Sequence, residues 1–151
     1  MAGRSSLSAT MRLTQVAVWV RDLETMRAFY ERYFAARTGP KYHNERKQFE
    51  SYFLTFPGGG QVELMRRADV LAADRGYATL DLAVPRIGLA HFGVEVASDF
   101  EVDALTARIG TAGFPVVDGP RRTGDNYYES IVRDPEGNRV LIVSAVVAPL
   151  H

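Results

Sequence analysis

The sequence predicts an α+β fold: two fused βαβββ modules related by a pseudo-twofold, their strands forming a cupped mixed sheet with the helices on its outer face. Three observations carry this. "RLTQVAVWVRDLETMRAFYERYF" (12–34) and "GLAHFGVEVASDFEVDALTARIG" (88–110) follow one plan, a short alternating strand leading directly into an amphipathic helix. Alternating apolar segments separated by turn residues then follow each helix. Finally, His91 follows Gln15 by 76 positions, while Pro135 follows Pro57, and Leu141 follows Glu63, by 78; the mismatch is small for a repeat carrying surface loops.

Residues 1–11 are expected to form a flexible tail. Leu13 to Val20 is β-branched and aromatic enough for a strand, and Asp22 is placed to cap a helix whose stripe is Leu23, Met26, Tyr30, Tyr33 and Phe34. Ala36 to Tyr42, Phe49 to Phe56 and Gln61 to Arg66 complete the first module, residues 12–66. Residues 67–87 connect the modules, and "DVLAADRG" within them suggests a short helix. In the second module, residues 88–147, Ser98 and Glu101 form a capping box before a stripe of Val102, Leu105 and Ile109, with Gly113 as the stop. Its remaining strands are expected at Pro115 to Gly119, Tyr127 to Arg133 and Arg139 to Ala145.

Composition narrows the function. With 46% hydrophobic residues in 151, the chain can bury a real core. Its 18 basic and 18 acidic residues cancel, which argues against nucleic acid or an anionic membrane as partner and for a small molecule. No stretch approaches the ~20 apolar residues of a membrane span or resembles a signal peptide, so a cytoplasmic protein is expected. Without cysteine there is no disulfide or thiolate chemistry, leaving His, Asp, Glu, Gln and Tyr as ligands or proton carriers.

Side chains alternate across a strand, so Gln15, Ala17 and Trp19 share one face while Val16, Val18 and Val20 pack under the helix. His91, Gly93 and Glu95 repeat this arrangement. Gln61, Glu63 and Met65, and in the second module Arg139, Leu141 and Val143, turn to the same side. Gln15, Glu63, His91 and Leu141 are thus repeat-related positions that a pseudo-twofold would bring together in a cup.

The segments "QVAVWVRDLETMRAFYERYF", "GLAHFGVEVAS" and "TGDNYYESIVRDPEGNRVLIV", in register with the repeat, resemble the vicinal oxygen chelate superfamily, which includes glyoxalase I, extradiol dioxygenases, fosfomycin-modifying enzymes and bleomycin-binding resistance proteins. The resemblance spans nearly the whole chain. It implies a homodimer, with the cup formed within one chain or between two. It also implies metal ligands at the four repeat-related positions, which here are Gln15, Glu63, His91 and then Leu141 in place of a final Glu. One carboxylate, one imidazole and one amide are a sparse set for offsetting the dehydration of a divalent ion. The expectation is therefore no metal cofactor, the alternative being one divalent ion (nickel, zinc, manganese or iron) on Gln15, Glu63 and His91. His43 and His151, in a polar loop and at the terminus, do not alter this.

Ligand-contacting candidates are Gln15, Trp19, Glu63, His91, Tyr127, Arg139 and Leu141. Trp19 is either a stacking wall for a planar, aromatic ligand or simple packing. Tyr127, beside the loop "RRTGDN", either gates one end of the cup or belongs to a plain hairpin. Glu63, Glu95 and Glu129 are the candidate catalytic acids or bases, although inner-face acids more often pair structurally, here with Arg139 or Arg133. "PGGGQ" lacks the Lys and helix of a phosphate loop, and Arg121 with Arg122 is too short a basic run for nucleic acid. The favoured function is a metal-independent small-molecule protein, either a sequestering resistance-type binder or a pathway enzyme. The competing readings are a metal-dependent glyoxalase-like lyase or isomerase, or a dioxygenase, using Gln15, Glu63 and His91, and a purely structural domain.

Overall fold

The computed structural model describes residues 11–71 and 87–146. The first module runs β1 (Gln15–Trp19), α1 (Leu23–Phe34), β2 (Arg37–Thr38), β3 (Tyr42–Asn44), β4 (Phe49–Thr55) and β5 (Gln61–Arg67). The second runs β6 (Phe92–Val96), α2 (Asp99–Thr111), β7 (Val116–Arg122), β8 (Tyr128–Arg133) and β9 (Arg139–Ser144). The predicted second strand of the first module, Ala36 to Tyr42, gives way to two short strands, β2 and β3, with Gly39, Pro40 and Lys41 between them. A single 3₁₀ turn, Glu45–Lys47, precedes β4. The short helix expected in "DVLAADRG" falls mostly outside the described residues.

Each module folds one mixed sheet, ordered β1-β5-β4-β2 with β3 also on β4, and β6-β9-β8-β7. The opening strand lies parallel to the closing strand in both, β1 to β5 and β6 to β9. The two registers agree: Ala17 faces Glu63 as Gly93 faces Leu141, with the same offsets of 76 and 78 that the sequence shows. As expected of two βαβββ modules, each keeps its own mixed sheet, and β1 and β6 are edge strands that do not pair with each other.

Both helices start as their sequences dictate. The Asp22 carboxylate accepts from the Thr25 amide at 3.0 Å, and Ser98 Oγ from the Glu101 amide at 3.3 Å. Glu101 reaches back to the Ala97 amide, one residue beyond the usual partner in a capping box. The α1 stripe buries Leu23, Met26, Phe29, Tyr30 and Phe34; α2 buries Val102, Leu105, Thr106 and Ile109. These meet the inward residues of the sheets, Leu54, Val62 and Leu64 in one and Val132, Val140 and Ile142 in the other. Each fully buried aliphatic or aromatic side chain contributes about 1.5–3 kcal/mol relative to exposure.

The modules dock through α1. Phe29 and Tyr33 lie 4.9 and 5.9 Å from Phe114, centroid to centroid, and Tyr30 lies 6.0 Å from Phe92. Buried among these rings, the Tyr30 hydroxyl donates to Asp134 at 2.8 Å. Nearby, the Glu136 carboxylate accepts from the Arg21 amide just before α1. Asp134 also accepts from the Glu136 and Asn138 amides and the Asn138 side chain, so the "DPEGN" turn is built around one carboxylate. Burial pushes that carboxyl above its ordinary range, with the hydrogen bonds from Asn138 and Tyr30 opposing, and burial likewise holds the Tyr30 hydroxyl in its neutral form.

Candidate ligand-binding site

Two cavities meet at Gln61. The larger, about 940 Å³, is a groove between the modules. One wall is made by Gln15 and Val16 of β1, the end of α1 and the glycine-rich turn before β5; the other by His91, β6 and the Leu105–Arg108 side of α2. The smaller, about 500 Å³, opens beside β2 and is lined by Arg37 through Pro40, Phe53, Thr55 and Gln61.

The groove is apolar where Phe34, Phe56, Phe92 and Leu105 converge, with a few polar groups at its margins: Gln15, Gln61, His91, Glu95 and Arg108. That is the usual make-up of a small-molecule pocket. Arg108 is held in place by its donation to the Arg32 carbonyl at 3.2 Å and by the Tyr33 ring, 5.6 Å from its guanidinium carbon. Gln61 is fixed by donating its side-chain N–H to Thr55 Oγ1 at 3.0 Å.

The four repeat-related positions are distributed differently. Gln15 and His91 line the groove, whereas Glu63 and Leu141 line neither cavity and sit half-buried on the helix-free faces of two different sheets. Glu63 stands between Ala17 and Phe53 on its sheet, and Leu141 between Gly93 and Ile131 on the other. Leu141 lies over Gly93, where a methyl group would meet its Cδ2 at 3.3 Å, so the glycine makes room for the leucine. Among the described residues no three His, Cys, Asp or Glu side chains are grouped so that they could hold a metal ion.

Trp19 is 43% exposed at the far end of β1, outside both cavities, with the Phe49 ring edge-on at 6.1 Å and Arg67 over its face at 5.3 Å. Tyr127 sits in the β7–β8 hairpin, its backbone N–H and C=O both bonded to Thr123, and also lies outside the two cavities. Glu95 and Glu129 flank Val143 on the second sheet, and Glu95 alone of the two lines the groove. The strand neighbour of Glu129 is Arg121, whose guanidinium grips Asp118 in a forked pair that holds the carboxyl below its ordinary range. That neighbour is brought opposite by an irregularity at Gly119, where φ is 72° and a side chain would strike the Glu129 carbonyl at 2.5 Å. Arg139 lies opposite Arg133 in the strand register.

Sequence reasoning missed Gln61, Thr55 and Arg37 as a polar group, and missed the Tyr30–Asp134 tie. Gln61 had a signal, since it precedes Glu63 by two and shares its face. The tie had none, because its partners lie 104 residues apart.

Among solved structures, the fold is similar to a glyoxylase/bleomycin resistance protein/dioxygenase domain from Frankia sp. EAN1pec, with a TM-score of 0.73 at 17% identity over 94% of this chain and 96% of that one. It is also similar to the trypanothione-dependent glyoxalase I of Leishmania major, with a TM-score of 0.69 at 17% identity over 89% and 87% of the chains. The fosfomycin resistance protein FosX of Listeria monocytogenes aligns with a TM-score of 0.62 at 16% identity over 91% and 93%. At such identities these likenesses speak for the fold alone. No curated protein sequence matches the chain. Among the described residues no helix is long and apolar enough to cross a membrane. The family model for the Glyoxalase/Bleomycin resistance protein/Dioxygenase superfamily matches residues 12–142, and the chain belongs to that superfamily.

Proposed function

We propose that this protein binds a small organic molecule in the groove between its modules, without a resident metal ion, as a ligand-sequestering protein of the resistance type. The observation that carries the reading is the Gly93–Leu141 pair. Where the repeat puts the Glu63 carboxylate in the first module, the second has an aliphatic side chain packed onto a glycine. The donors that remain do not fit a divalent ion within one chain: Glu63 is the only anion among the three, and it lies outside the groove that Gln15 and His91 share. An apolar groove with a few polar margins suits a ligand held by shape and hydrogen bonds.

A second reading, the metal-dependent lyase or dioxygenase, draws on the placement of Gln15 and Glu63 on one open sheet face. It needs a homodimer in which the second module of a partner chain covers that face, and a proton carrier from Glu95 or Glu129. Light scattering after size exclusion reports whether that dimer forms.

The test is a ligand-observed NMR screen of small aromatic compounds, repeated with excess chelator and with His91→Ala. Affinity unchanged by chelator and weakened in His91→Ala is the expected result. Binding that disappears with chelator contradicts metal independence. Trp19 fluorescence is a poor reporter here, because its ring stands outside the groove.

A further inference from the structure

We infer that Arg37 forms a subsite for the carboxylate of a small aryl or alkyl carboxylic acid at the far side of Gln61 from the groove. The inference gives the ligand proposed above an anionic head, and rests on that reading for the position of the ligand's body.

Four polar residues stand in one row across the first sheet: Gln15 pairs with Gln61, Gln61 with Thr55, and Thr55 with Arg37. The row joins the two cavities, since its first two members line the groove and its last three line the smaller cavity. Three strand gaps of about 4.8 Å make it roughly 14 Å long, within reach of one extended small molecule. Beside Arg37, Phe53 and Pro40 supply an apolar wall for the ligand's carbon skeleton, and the Thr55 hydroxyl and Gln61 amide supply hydrogen-bonding groups.

Arg37 is available for such a partner. The other cations of the first module's ion pairs are engaged: Arg27 with Glu24 and Glu31, Lys41 and Arg66 with Glu50, Arg67 with Asp69. Among the described residues no ion pair takes Arg37, although it faces a cavity. A guanidinium is suited to a planar carboxylate through two parallel hydrogen bonds. Glu63 decides between a single and a double negative charge. It shares the sheet face two residues along β5 from Gln61 and repels added charge, so a monoanion is favoured over a phosphate dianion.

The probe is 2-naphthoate, titrated into ¹⁵N-labelled protein, with 2-naphthamide and inorganic phosphate as comparisons. Naphthoate is expected to shift the amides of Thr38, Gly39 and Thr55 together with groove amides such as His91 and Leu105; naphthamide is not expected to shift the first three, and phosphate is expected to compete poorly. Arg37→Gln should weaken naphthoate at least tenfold, and Arg37→Lys by less, since it keeps the charge and loses the fork. Arg37 is exposed on a two-residue strand, so these variants leave the core intact. Equal binding of acid and amide, an unchanged affinity in Arg37→Gln, or no shifts at all up to millimolar naphthoate would overturn the subsite. Phosphate competing as well as naphthoate would overturn the monoanion preference. Shifts confined to His91, Leu105 and Arg108 overturn the subsite while leaving the groove reading standing. Shifts confined to Thr38, Gly39 and Thr55 support the subsite and count against the groove.

Discussion

Tyr30 and Thr106 occupy equivalent turns of the two helices, 76 residues apart, and they look in different directions. Tyr30 crosses to the other module, where its hydroxyl meets Asp134; Thr106 stays at home, bonded to the Val102 carbonyl and to Ser130 at 2.6 Å. The turns they belong with differ in the same sense. Asp134 follows Phe56 by 78, and Tyr30 touches both, with its ring 6.4 Å from Phe56. A duplicated backbone therefore carries an unequal division of labour. The first module supplies the aromatic arm and the second supplies the socket, which docks the two halves in one orientation and so shapes the groove between them.

The same inequality governs the open faces. Ala17 with Glu63 in one half corresponds to Gly93 with Leu141 in the other, a polar site against an apolar one. Backbone register is preserved, while side-chain chemistry is free to diverge.

The docking asymmetry is broken most severely at Asp134. Asp134→Ala strands two backbone amides and the Tyr30 hydroxyl, and should cost about 3 kcal/mol or more in urea unfolding. Tyr30→Phe removes one hydrogen bond to a buried carboxylate, for a loss of about 1.5–3 kcal/mol. Thr106→Val, its counterpart, should cost about 1 kcal/mol, because the bonds lost, to the Val102 carbonyl and to Ser130, both lie within its own module. Equal losses at Tyr30 and Thr106 would remove the asymmetry.

A pH series sharpens the point. Since burial raises the Asp134 pKa in the folded state, the folded chain holds that proton more tightly than the unfolded one. Its contribution to stability is therefore greatest at acid pH and declines as pH rises through the folded pKa. Measured against Asp134→Asn, wild type should gain relative stability as the pH is lowered from 7 toward 4, and a flat difference contradicts this. The smallest expected effect is at the open face. Gly93→Ala pushes on Leu141 and should cost less than about 1 kcal/mol, a cost relieved in a Leu141→Ala background. Coupling between the two substitutions in a double-mutant cycle checks it.

Much of the fold was legible because it rests on local signals. Asp22 and Ser98 announce their helices, and alternation in Gln61–Arg67 and Arg139–Ser144 announces strands with one buried face. The repeat offsets even anticipated the register of Glu63 and Leu141. What stayed hidden depends on how the halves meet. Alternation placed Trp19 on the correct face but could not say that it sits beyond the groove, since distance along a strand from the module junction leaves no trace in periodicity. Arg37 carries no signal of its own in the sequence, and it is the pairing of β2 with β4 that brings it level with Thr55 and Gln61.

The proposal that the second module's leucine leaves this protein without a tight metal site is open to a measurement of metal content. Protein reconstituted with nickel, zinc, manganese and iron(II), then desalted, should retain far less than one ion per chain by mass spectrometry. Retention of about one ion per chain, lost in Glu63→Gln and in His91→Ala, would contradict the account and establish a working three-donor site.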